Sequence, residues 1–283
     1  MAQITTGPAI LPEEAVRYYQ GGREAERLRK GIGPMELVRT QELIERFFPA
    51  PPAVVLDVGG GPGVYASWLA RLGYQVHLVD AVPLHIEQAR QASEAQPAQP
   101  IASLQVGDAR SLDYPDESAD AVLLHGPLYH LTERSERLAA LRESARVLRP
   151  QGVLLAFGIG RYASTLAGLV NWWIEDAGYV RMIERELADG RHWPPPNWPG
   201  LFTAAYFHLP GELGDELREA GLEHEGTLAV QGPGWLVPGF EEKWVNEDQR
   251  EALLHVVRLL DKEPGAQAMT PHLMAIGRKG SGQ

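Results

Sequence analysis

VVLDVGGGPGVYASWLARLGYQVHLVD, residues 54–80, decides how the rest of the chain is read. An apolar run too short for a helix enters Asp57, and four glycines follow within six positions (Gly59, Gly60, Gly61, Gly63). A segment with helical apolar spacing and a second apolar run ending at Asp80 complete the unit. The expected structure is strand, glycine turn, helix, strand. Glycine can take positive φ and lets a ligand approach the backbone closely, while the helix that follows offers free N–H groups. An acid at the carboxyl end of the second strand stands where it can accept from the two hydroxyls of a ribose.

Two cofactor readings fit that turn. Gly61-Pro62-Gly63-Val64-Tyr65-Ala66 satisfies the G-x-G-x-x-A pattern of a nicotinamide or flavin site. Asp57-Val58-Gly59-Gly60-Gly61-Pro62-Gly63 resembles the D-x-G-x-G-x-G signature of class I S-adenosylmethionine-dependent methyltransferases, and Asp80 is similar to their ribose-binding acid. A non-catalytic cofactor-binding protein on the same fold is a third reading.

Outward from this unit, Pro83 to about Ala95 reads as a helix, Leu104–Val106 as a short strand, and 119–124 as a fourth strand. A helix opening near Thr132 and stopping at Pro150, then a strand at Gly152–Phe157, continue the alternation. Alternating strands and helices argue for an α/β, doubly wound, mostly parallel sheet. Ser164 to Ala188 carries one apolar stripe and reads as a single long helix. Pro210 to Ala220 reads as another helix, 226–231 as a sixth strand, and 272–277 as a seventh. The resemblance implies a Rossmann-like seven-stranded sheet whose last strand pairs antiparallel with the sixth. Residues 1–50 are then a helical N-terminal extension, with 1–10 frayed. The methyltransferase domain is 51–283, with lid insertions at about 160–209 and 235–268.

The resemblance also implies roles. Asp57, Gly59, Gly60, Gly61, Gly63, Asp80 and Ala81 hold the cofactor, Asp108 and Ala109 take the adenine, and His125 contributes backbone. An aspartate that merely caps a turn is the plainer alternative for Asp108. From the helical prelude, Tyr18, Tyr19, Arg27 and Arg39 are candidates for touching the methionine moiety or the substrate, with Arg39 preferred as the carboxylate contact; tyrosines that pack the helix on the sheet and solvated arginines are the plainer account. The loop His125–Leu131 leaves the fourth strand where ligands of open α/β sheets bind. It supplies His130 as candidate general base and Tyr129 to orient the acceptor. Trp172, Trp193, Trp198, Phe202, Tyr206 and His208 are candidates for an aromatic acceptor pocket; ordinary lid packing is the competing account of each.

With 26 basic and 37 acidic residues the formal charge is −11, which disfavours a nucleic-acid partner. The absence of cysteine removes disulfides and thiolate chemistry. No metal-ligand spacing is visible, and no signal segment or membrane-length apolar run occurs. A cytoplasmic monomer or homodimer acting on a small molecule, with S-adenosylmethionine as donor, is the expectation. An NAD(P)-dependent oxidoreductase is disfavoured by the lack of Tyr-x-x-x-Lys.

Overall fold

The computed structural model describes residues 11, 13–22, 24–198 and 201–282, so the frayed start expected at 1–10 lies outside the described residues. Three helices come first: α1 (Glu13–Gln20), α2 (Glu24–Arg27) and α3 (Gly33–Phe47). Then β1 (Val54–Val58), α4 (Val64–Arg71), β2 (Gln75–Asp80), α5 (Pro83–Glu94), β3 (Ser103–Val106) and β4 (Ala119–Leu124) alternate as expected. After them come α6 (Pro127–His130), α7 (Arg134–Val147) and β5 (Leu148–Gly160).

The strands read as continuous apolar runs because they are covered on both faces. Along β5, Val153, Leu155 and Phe157 join the cluster that contains Leu43 and Ile44 of α3 and Leu69 of α4. Leu154 and Ala156, between them, join the cluster containing Leu141 of α7. Period-two alternation thus splits one run between two helical layers.

β1 pairs parallel with β2 and β4, β2 with β3, and β4 with β5. β8 (Glu223–Ala229) and β9 (His272–Arg278) form the antiparallel end, β9 lying directly against β5. The expected sheet and its terminal hairpin are therefore present. The sixth strand of the expectation begins three residues earlier than read, at Glu223, and ends at Ala229.

Two short strands are added. β6 (Arg191–His192) and β7 (Ala205–His208) come from the insertion, and β7 pairs parallel with β5 at Ile159 and Gly160, beyond the end of β4. The described residues thus hold nine strands in one sheet.

The single helix expected over Ser164–Ala188 is two helices, α8 (Ala163–Val170) and α9 (Ala177–Asp189). Between them Trp172 takes φ 57° and one 3-10 turn spans Trp173–Glu175. Asp176 starts α9 by accepting from the Tyr179 N–H at 2.8 Å, a side-chain cap that competes with continuing the helix. The Tyr179 hydroxyl donates to the Ser164 carbonyl at 2.7 Å, and a Cβ at Gly168 would stand 2.6 Å from the Tyr179 ring, so α9 folds back onto α8.

Thr132 does not cap α7; Glu133 holds that position, and the Thr132 carbonyl accepts from Arg137. The remaining helices are α10 (Pro210–Glu219), which packs with α7, then α11 (Phe240–Val245), α12 (Glu247–Leu260) and α13 (Pro264–Ala268). Phe240, Leu254 and Val257 cluster with Met35, which lays the second insertion against α3. No helix among the described residues is long and apolar enough to cross a membrane.

Candidate active site

The carboxyl ends of β1, β2, β3 and β4 open into one pocket enclosing about 930 Å³ including its mouth, a size suited to a nucleoside-bearing ligand. At the tip of β1 the chain turns through Gly59 (φ 79°), Gly61 (φ 55°) and Gly63 (φ 81°), conformations that favour glycine. The approach is also close. A Cβ at Gly59 would stand 2.4 Å from Pro127 Cδ and 2.8 Å from the His125 carbonyl oxygen.

Asp80 fastens this turn to β2. Its Oδ2 accepts from the Gly61 N–H at 2.8 Å, and its Oδ1 accepts from the Val82 N–H at 2.8 Å and from His85 Nδ1 at 3.0 Å. Asp57 lies beneath the turn, fully buried, with no hydrogen-bond partner for either oxygen among the described residues. Burial and the neighbouring Asp80 charge push its carboxyl up to about 7. An orphaned carboxylate beside a bare turn suits a ligand that brings positive charge.

From β3, Asp108 and Ala109 line the wall. Asp108 also makes the turn that the plainer reading gave it, accepting from the backbone N–H of Arg110, two residues on, at 2.8 Å and pairing with the Arg110 guanidinium. Ala81 and His125 complete the expected wall, whereas Gly63 lies just outside it, packed on Ala89.

Tyr129 and His130 lie at the far side of the pocket, both buried. The Tyr19 hydroxyl sits 2.7 Å from His130 Nε2, so α1 reaches the loop that follows β4. Burial holds the His130 imidazole down to about 4 and raises the Tyr129 phenol, so both are neutral near pH 7. His130 Nδ1 is buried without a partner.

The prelude supplies a different arginine from the one expected. Arg39 is buried away from the pocket, donating to the Val230 carbonyl and to Asp261 at 3.2 Å each and paired with Glu42. Its place on α3 turns it towards the C-terminal half of the chain. Arg27 lines the pocket instead, its Nε 2.6 Å from Glu24 and its two terminal nitrogens bound to Glu36 at 2.6 and 2.8 Å. Glu24 Cγ lies 3.8 Å from where a Gly61 Cβ would be. Tyr18 packs edge-on against Phe202.

Most of the lid aromatics stay away from the pocket. Trp172 is 64% exposed and Trp193 39%. Trp198 packs with Trp173 and Tyr179 in a separate cluster. Tyr206 lies under the Arg137 guanidinium, 3.6 Å from its ring centre, and His208 is buried against Glu216. Phe202 comes nearest: it is not part of the wall, but its ring meets Tyr129 and His130, which are, at 5.8 and 5.4 Å between centroids. Its carbonyl accepts from His192 Nε2 at 3.0 Å, and His192 Nδ1 is held at 2.5 Å by Glu186, a buried pair that the sequence did not reveal.

Folding also gathers Glu36, His125 and His272, a trio that no sequence spacing shows. His125 stacks on Phe157 with centroids 4.1 Å apart, and its Nε2 is 3.8 Å from Glu36. Arg27 already pairs with both Glu36 oxygens, and Gln231 donates to His272 Nδ1 at 2.8 Å. The trio therefore stands as a charge-compensated polar cluster behind the pocket.

Residues 56–156 match the family model described as a methyltransferase domain. Methyltransferase GfsG of Streptomyces halstedii is 35% identical over 116 residues, which cover 41% of each chain, so the match spans less than half of that relative's length. A ubiquinone biosynthesis O-methyltransferase of Xanthomonas campestris pv. campestris (strain B100) is 33% identical over 65% of this chain and 69% of its own. A SAM-dependent methyltransferase structure from Methanosarcina mazei superimposes with a TM-score of 0.58 over 84% of this chain and 97% of that one, at 18% identity, a likeness of fold. With the glycine turn, the Asp80 clasp and the terminal hairpin, these matches show that the chain belongs to the class I S-adenosylmethionine-dependent methyltransferases.

Proposed function

We propose that the pocket binds S-adenosylmethionine and that the chain transfers its methyl group to a small-molecule acceptor seated beside Tyr129, His130 and Phe202. The observation that carries this reading is the clasp between Asp80 and Gly61, which puts a carboxylate and a bare backbone turn on one wall. On this reading Asp80 meets the ribose, Asp108 and the Ala109 backbone meet the adenine edge, and Arg27 takes the methionine carboxylate. Asp57 and Glu24 face the cationic end.

The bound cofactor supplies a methyl group activated by positive sulfur. The chain's part is to align the acceptor's lone pair with the methyl–sulfur axis and to keep water out, which needs position more than acid–base power. His130, neutral near pH 7, can take a proton from an O–H or N–H acceptor once Tyr19 releases Nε2. Relatives named ubiquinone biosynthesis O-methyltransferase make an oxygen acceptor the first to try, with N and C acceptors as further classes.

Transfer of labelled methyl from S-adenosylmethionine into extractable small molecules tests the reaction. Asp80→Ala tests the site: S-adenosylhomocysteine affinity measured by calorimetry is expected to fall by about 10–100-fold, from the loss of a charge-assisted hydrogen bond and of the clasp that holds the Gly61 turn. Unchanged affinity would remove Asp80 from the cofactor site.

A further inference from the structure

The hydrogen-bonding capacity of Asp80 is largely taken by the protein itself. An ionised carboxylate offers about four acceptor positions, two on each oxygen. Oδ1 accepts from the Val82 N–H and from His85 Nδ1, and Oδ2 accepts from the Gly61 N–H. One position remains, on Oδ2. A ribose diol brings two donors, so the second hydroxyl needs another acceptor close by.

His85 is such a neighbour, bonded to Asp80 Oδ1 through its Nδ1. It sits in the first turns of α5, is 3% exposed, and forms part of the pocket wall. A carboxylate only accepts, so Nδ1 carries a proton in the contact with Asp80, and in the tautomer with its single proton there Nε2 presents a lone pair. That Nε2 is buried and has no hydrogen-bond partner among the described residues. The ring packed against it cannot supply one: Tyr19 lies edge-on at 4.9 Å between centroids, and its hydroxyl is engaged with His130 Nε2. Leaving a buried acceptor unmatched is costly, and a donor arriving with the ligand removes that cost.

We propose, on the cofactor reading given above, that His85 Nε2 accepts one ribose hydroxyl of the cofactor while Asp80 Oδ2 accepts the other. His85 is then a binding residue in its own right as well as a brace for Asp80. The two roles are separable by substitution. His85→Asn keeps an N–H where Nδ1 was, and so keeps the brace, but has no acceptor at the Nε2 position. His85→Gln places an amide oxygen near the Nε2 position and gives up the brace.

The test is calorimetry with S-adenosylhomocysteine and its 2′-deoxy and 3′-deoxy forms, on the wild type and both variants, with thermal melts to confirm folding. The expected result is that His85→Asn binds S-adenosylhomocysteine about tenfold more weakly than the wild type. For one of the two deoxy forms the same substitution costs nothing, because the hydroxyl His85 receives is already gone. His85→Gln recovers part of the discrimination between the full ligand and that deoxy form. Unchanged affinity in His85→Asn overturns the proposal, and so does an equal loss for all three ligands, which would mark a brace or a site for trapped water. A wild type that binds none of the three overturns the cofactor reading and this inference together, whereas wild-type binding with an indifferent His85→Asn overturns this inference alone.

Discussion

Asp57 is the residue whose chemistry depends most on what enters the pocket. Its carboxyl is held at about 7 by burial and by Asp80, and an arriving sulfonium and ammonium favour its ionised form. Binding a cation there therefore releases a proton whenever the pH is below about 7. S-adenosylmethionine affinity is expected to rise with pH up to about 7, by as much as tenfold per pH unit, and then level off; in Asp57→Asn that rise disappears. Titration calorimetry across pH 5.5–8.5 reads this, and a wild-type curve parallel to that of Asp57→Asn would exclude Asp57 from the linkage. His130 makes a second prediction. If it accepts the acceptor's proton, His130→Ala lowers turnover by about 10²–10⁴ with cofactor affinity kept. Because burial holds its imidazole to about 4, wild-type turnover stays flat between pH 8 and about 5.5 with respect to this group, where a histidine of ordinary pKa would lose activity near 6.5. Intact turnover in His130→Ala would return His130 to a packing role.

At the scale of the element, the lid is where sequence and structure diverge, and the reasons are physical. The apolar stripe through 164–188 has helical spacing, but a period does not reveal that Trp172 turns left-handed or that Asp176 caps a new helix. β7 is four residues long and pairs only with neighbours distant in sequence, so nothing local announces it. Arg39 and Arg27 lie on one prelude, and only the packed direction of α3 tells which of them meets the pocket. By contrast, the β1–α4–β2 unit was legible because strand, turn glycines and helix are each local signals. The lid also carries its own prediction. Glu186 and His192 are both buried, and His192 also holds the carbonyl of Phe202, whose ring meets Tyr129 and His130. Glu186→Ala leaves a buried polar partner unmatched and is expected to destabilise the fold by about 1–3 kcal/mol, read as a drop in the urea midpoint. Trp172→Ala, at a 64% exposed ring, is expected to change stability by less than about 0.5 kcal/mol. A silent Glu186→Ala would contradict this.

For the whole molecule, one sheet organises the chemistry. Parallel strands bring four carboxyl ends to one edge, helices cover both faces, and the N-terminal helices close over the opening through Tyr19, Glu24 and Arg27. The glycine turn by itself fits two cofactors; the strand order and the antiparallel end against β5 decide for the methyltransferase sheet. The side chains around the pocket come from the prelude, β1, β2 and the β4 loop, segments that meet only in the folded state. The direct measurement of the central claim is calorimetric titration of the purified chain with S-adenosylhomocysteine and, separately, with NADH. The account predicts micromolar binding of the first, roughly −8 kcal/mol, and no heat from the second. Binding of NADH with no response to S-adenosylhomocysteine would contradict it.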